Sequence, residues 1–201
     1  MRIISVPPLM VLALLLILWF HGGVFDTVSE LVWGIVCLTV LPALAYPLSK
    51  QVPAWREAGR DKQRKLAFVF SIVGYTALMV YGFVGQVGTY AMLIFATYFF
   101  GLAVLVVINK VIKRKASGHA CSITGPLVLL VYFIGWQALI PCAALFALIM
   151  WSSVVLKRHT PKEFALGALS CAIGFFISLV AFVAPTGTLA APHGAAAIAT
   201  R

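Results

Sequence analysis

Acidic residues are almost missing from this chain: its 201 residues include only Asp26, Glu30, Glu57, Asp61 and Glu163. That scarcity excludes an aspartate-rich, Mg²⁺-diphosphate site of the prenyltransferase kind, because Asp26 and Asp61 fall on opposite sides of the expected membrane. It also argues against ion-coupled transport, which places ionisable groups within the spans, where almost none occurs here. Cysteine is sparse as well. Cys37, Cys121, Cys142 and Cys171 lie within or beside apolar segments without C-x-x-C spacing, so neither a disulfide framework nor a zinc site is expected. The chain has no internal repeat.

What it has in abundance is apolar surface. Hydrophobic residues make up 63% of the chain, charged residues 10%, and the mean hydropathy is +1.06. A soluble domain of this size could not hide that much, so lipid is the expected solvent. About seven stretches are long enough to cross as helices, near 7–24, 29–48, 66–86, 88–109, 119–137, 138–156 and 162–184. The first lacks a small-x-small cleavage site and is read as a retained helix ending in the turn His21-Gly22-Gly23. The expected fold is an all-α, polytopic transmembrane helix bundle. It divides into two N-terminal helices with a basic loop (1–65), the remaining bundle (66–184), and a disordered Ala/Gly/Thr-rich tail (185–201). Trp55 is expected on a short interfacial helix within the loop 49–65.

The net charge of +10 follows from topology. With the N-terminus in the cytoplasm, the inner loops receive Arg2, Lys50, Arg56, Arg60, Lys62, Arg64, Lys65, Lys110, Lys113, Arg114, Lys115, Lys157, Arg158 and Lys162. Of the 15 Lys and Arg, this leaves only Arg201 outside. That is the positive-inside pattern, and it needs no nucleic acid as partner.

Two of the four histidines stand in these basic inner loops; His21 and His193 fall on the other side. Ser117-Gly118-His119 opens a helix: Ser117 suits an N-cap, and Gly118 allows close approach to the backbone. Free N–H groups of the first turn and the helix dipole make an anion site there, with Lys113, Arg114 and Lys115 just before it. In the second loop, Thr160, Pro161 and Glu163 form a capping box. The cap explains those three residues and leaves His159 unexplained, four positions before Glu163, a carboxylate able to fix its tautomer. Two imidazoles among cations at one membrane face suit phosphoryl transfer, one attacking phosphorus and the other protonating the leaving oxygen. The remaining small residues, Gly167, Cys171, Gly174 and Ser178, mark a close-packing face of the last span. Pro42, Pro47 and Pro141 are expected to kink or end helices.

These residues resemble the type 2 phosphatidic acid phosphatase superfamily of membrane histidine phosphatases, whose motifs are K-x6-R-P, P-S-G-H and S-R-x5-H-x3-D. Ala116-Ser117-Gly118-His119 looks like the second, with Ala for Pro. Ser152-Ser153-x5-His159-x3-Glu163 looks like the third, with Ser for Arg and Glu for Asp. The resemblance covers roughly 88–184 and implies a six-helix core. It implies that His159 is a nucleophile forming a phosphohistidine, that Glu163 orients it, and that His119 protonates the leaving group. Ser117 and Gly118 would hold phosphate oxygens, and no divalent metal or other cofactor is expected. K-x6-R-P is absent: after the six-residue gap that follows Lys110 the chain has already reached Ser117. Lys110, Arg114, Lys115 and Arg158 are the cations placed to substitute for it and for the arginine replaced by Ser153. The implied substrate is a lipid phosphate: polyprenyl phosphate or diphosphate, phosphatidate, or phosphatidylglycerol phosphate. The alternative is a degenerate relative that binds anionic headgroups without hydrolysis. The expected location is a bacterial inner membrane with the site loops cytoplasmic, although many relatives work on the outer face.

Overall fold

The computed structural model describes residues 7–51 and 59–187, and those residues form an all-α bundle with no strand among them. The expected interfacial helix around Trp55, the tail beyond 187, and Arg2, His193 and Arg201 lie outside the described residues.

Seven helical rods run up and down. The first is α1 (Pro7–His21). The second joins α2 (Val28–Ile35) through a π-turn (Val36–Val40) to α3 (Leu41–Gln51). Then come α4 (Gly59–Val84) and α5 (Thr89–Val106), the latter ending in a π-turn (Val107–Val111). The last three rods are α6 (Gly118–Ile134), α7 (Trp136–Val155) and α8 (Pro161–Ser178). Five of the seven rods are long and apolar enough to cross a membrane; α1 and α6 are shorter. The seven rods fall where about seven apolar spans were expected, with α1 and α6 shorter than the rest. The physical reason lies at the rod ends: Gly22, Gly23 and Gly135 take positive φ, which L side chains resist, so α1 and α6 stop early. Gly135, with φ 88°, also moves the α6–α7 junction ahead of the expected 137/138 boundary.

Two further expectations change. α4 begins at Gly59, so Arg64 and Lys65 stand on a helix and not in a loop. Pro47 and Pro141 sit inside helices, and Pro42 near the start of α3, so none ends its rod. The π-turn just ahead of Pro42 takes up the missing N–H by widening the ladder, with Leu41 N–H bonding to Val36 O.

α5 is the central rod. Ala91 through Tyr98 are all buried, and Phe95 packs in one cluster with Leu14, Leu18, Leu38, Leu78 and Phe133. α8 lies directly against α5 because neither presents bulk at the crossing. A Cβ on Gly174 would land on the backbone of Gly101, and one on Gly101 would press within 3.3 Å of Cys171 Cα. The Gly167/Cys171/Gly174/Ser178 stripe is therefore the packing face the sequence suggested. α7 is held mainly by α6 and barely touches α8. Its Trp136, Leu139, Ile140, Leu148, Trp151 and Val155 face outward, where a membrane supplies their solvent.

The two ends of the bundle differ in charge. At one end the buried carboxylate of Glu30 ties two turns together, accepting from the Asp26 amide at 2.9 Å and the Gly88 amide at 3.2 Å. At the other end are the connections 112–117 and 156–160, rich in lysine and arginine.

Candidate functional site

The cationic end is built from two helix starts fastened to each other. Ser117 caps α6, its Oγ accepting from the Ala120 amide at 3.2 Å. Thr160 caps α8 in a complete capping box: Thr160 Oγ1 accepts from the Glu163 amide, and Glu163 Oε2 accepts from the Thr160 amide, both at 3.2 Å. The caps meet through the Ser117 amide, which donates to the Glu163 carbonyl at 2.9 Å. Gly167 makes that possible, since a Cβ there would land on the Ser117 carbonyl oxygen.

Glu163 is the hub. Its Oε1 pairs with Lys115 Nζ at 3.0 Å, bridging the two loops. Its Oε2 lies 3.4 Å from His159 Nδ1, longer than an N–H···O bond, and that buried nitrogen has no hydrogen-bond partner among the described residues. The carboxylate is shared between a lysine and a cap, so the imidazole receives its charge without a bond. Burial lowers the His159 pKa, the Glu163 carboxylate opposes this, and the Arg64 and Lys115 charges lower it further. His159 is thus neutral at neutral pH.

His119 stands in the first turn of α6, before the apolar run of that helix. Burial is the largest cause holding its pKa down to about 4, and the charges of His159, Arg158 and Arg64 add to it. The imidazoles are close enough to influence one another. Arg64, on the first turns of α4, acts on both. No local motif announces it, and it was legible only as one more basic residue of an inner loop.

A cleft of about 340 Å³ opens here, lined by Lys115, Val154, Lys157, Arg158, His159, Thr160, Pro161 and Glu163. Of the residues singled out in the sequence, Lys115, Arg158, His159 and Glu163 therefore share one cavity. Lys110 and Arg114 are exposed and outside that lining. Ser117 is buried, its Oγ accepting in the cap, and it is not among the residues that line the cleft. Gly118 is exposed, and a Cβ there would make only an ordinary 3.6 Å contact with Leu105. Ser153, at the arginine position of the third motif, is buried, and its Oγ has no partner among the described residues. A second hollow, about 330 Å³ and lined by Ile17, Leu127, Leu130, Pro141 and Leu145 among others, is apolar and does not touch these groups.

Chemically, the cleft offers three cations, one neutral imidazole and one carboxylate, a set suited to an anion. Among the described residues no three His, Cys, Asp or Glu side chains converge. The chain matches no protein-family profile, no curated protein and no solved structure. With five apolar rods of crossing length, the fold and site define a membrane protein with an anion-suited cleft at one end of its bundle.

Proposed function

We propose that this protein is a membrane-integral phosphatase that removes phosphate from a lipid phosphate or diphosphate through a phosphohistidine on His159. The observation that carries the reading is the convergence of Lys115, Arg158, His159 and Glu163 on one cleft, with His119 electrostatically coupled to it. A neutral His159 has a free lone pair for attack on phosphorus, and Glu163 can hold its other nitrogen. Lys115 and Arg158 are placed to take up charge on the equatorial oxygens. His119 must be protonated to act as an acid, and its pKa of about 4 leaves it neutral in the empty site. A bound phosphate carries negative charge that offsets the cations holding it down, so substrate itself raises the acid. The site lies at the end of a lipid-facing bundle, which favours a substrate whose tail stays in the bilayer. The charge distribution supports a cytoplasmic side for that end, and the membrane proposed is a bacterial inner membrane.

A second reading, binding of anionic headgroups without hydrolysis, draws on Ser153 standing where the superfamily has an arginine and on the burial of Ser117 away from the cleft lining. Phosphate release decides between them. Purified protein in detergent is given a panel of lipid phosphates and diphosphates without added metal, beside His159→Ala and His119→Ala. The expected result is release that persists in EDTA, falls by at least three orders of magnitude in His159→Ala, and falls about 10²–10⁴-fold in His119→Ala. Headgroup binding with no release from any lipid would overturn the phosphatase and leave the second reading.

A further inference from the structure

Asn109, a residue no motif includes, closes the basic loop. It lies in the π-turn Val107–Val111 that ends the α5 rod. Its Oδ1 accepts from the Ala116 amide at 3.0 Å; its Nδ2 donates to the Leu105 carbonyl at 2.9 Å and reaches the Ala116 carbonyl at 3.4 Å. One side-chain amide thus grips both polar groups of Ala116 and anchors them to the rod. Between the two ends of this clasp the chain reverses through Lys113 in the left-handed region (φ 58°), and the Arg114 amide donates to the Ile108 carbonyl at 3.0 Å. The residues either side of Ala116 are the two that reach across to α8: Lys115 to the Glu163 carboxylate and Ser117 to the Glu163 carbonyl.

We propose that Asn109 is a positioning residue for the cleft, fixing Ala116 so that Lys115 is held against Glu163 and the carboxylate is shared between Lys115 and His159. The proposal rests on reading the cleft as a phosphate site. A lysine side chain that is 75% exposed does not stay on one carboxylate by burial; its backbone must be held. Asn109 does this with neutral hydrogen bonds, adding no charge beside the cations. Deprived of the clasp, Lys115 leaves Glu163, which is then free to close the 3.4 Å gap to His159.

The test reads the titration of His159 by NMR of isotope-labelled imidazole in the full-length protein, without substrate. It compares the parent with Asn109→Ala, Asn109→Ser, Lys115→Ala and the double variant Asn109→Ala/Lys115→Ala. Lys115→Ala raises the midpoint of His159, because a repelling cation is gone and Glu163 is released to it. Asn109→Ala is expected to raise it likewise, and the double variant no further than Lys115→Ala alone, the signature of one residue acting through another. Asn109→Ser, which keeps a short acceptor for the Ala116 amide, is expected to fall between and carries the test if Asn109→Ala does not fold. An unmoved His159 in the Asn109 variants, or shifts that add in the double variant, would overturn the proposal. Because no substrate is present, a protein that hydrolyses nothing still tests Asn109, while intact coupling without phosphate release fells only the phosphatase reading.

Discussion

At the scale of single residues, the site is governed by competition for one carboxylate. Glu163 serves Lys115, the Thr160 amide and His159 at once, and the imidazole is served last. Burial, with the surrounding cations adding to it, holds both histidines neutral, which sets the pH behaviour. In the proposed reaction His159 attacks only when unprotonated, and its pKa in the folded protein lies below the ordinary 6.5. The acid limb of kcat/KM, the free-enzyme profile, is therefore expected below pH 6.5, with activity lost as pH falls through the lowered value. Arg64→Ala removes a cation acting on both imidazoles, so the limb should move to higher pH. A pH–rate profile of this variant beside the parent checks it; a limb that stays in place would remove Arg64 from the site.

Elements explain how such a site stays assembled. α8 carries Glu163 and is pressed onto α5 and the start of α6 at positions where only glycine fits. Gly174→Leu should therefore destabilise the bundle by about 3 kcal/mol or more, the range for overpacking a tight contact. Gly118→Ala, at an exposed position with room for a Cβ, should cost well under 1 kcal/mol. Unfolding in mixed micelles by increasing denaturing detergent compares the two; equal losses would show that the α5–α8 crossing is not tight. The same contrast explains what the sequence made legible. The capping box at Thr160-Pro161-Glu163 and the Ser117 cap were readable because their partners lie three residues away. The small-residue stripe was readable because helical period alone puts it on one face. Arg64 and Asn109 were not. Arg64 acts from a different rod, and the hydrogen bonds of Asn109 to Ala116 span a loop whose path no pattern of residue types reveals. The end of α6 was missed because apolar character continues past Gly135, whereas the His21-Gly22-Gly23 turn that stops α1 was readable.

For the whole molecule, lysine and arginine gather at one end and buried Glu30 at the other. The alternation of rods puts the connections 112–117 and 156–160 on one side, and those around Gly22, Gln86 and Gly135 on the other. With the four native cysteines replaced, single cysteines at Lys113 and Lys157 should be protected from an impermeant thiol reagent added outside intact cells. Cysteines at Gly22 and Gln86 should label. The reverse pattern would place the cleft on the outer face and leave its chemistry untouched.

The backbone contact between Gly174 and Gly101 also dictates an order of construction. α8 follows the other rods in the chain, so α5 must reach the membrane with its glycine surface uncovered and wait for Gly174, 73 residues after Gly101. That same late arrival brings Glu163, and with it the acceptor for Ser117 and the partner of Lys115. Until α8 docks, the nascent bundle lacks Glu163 and the contacts that join its two basic connections.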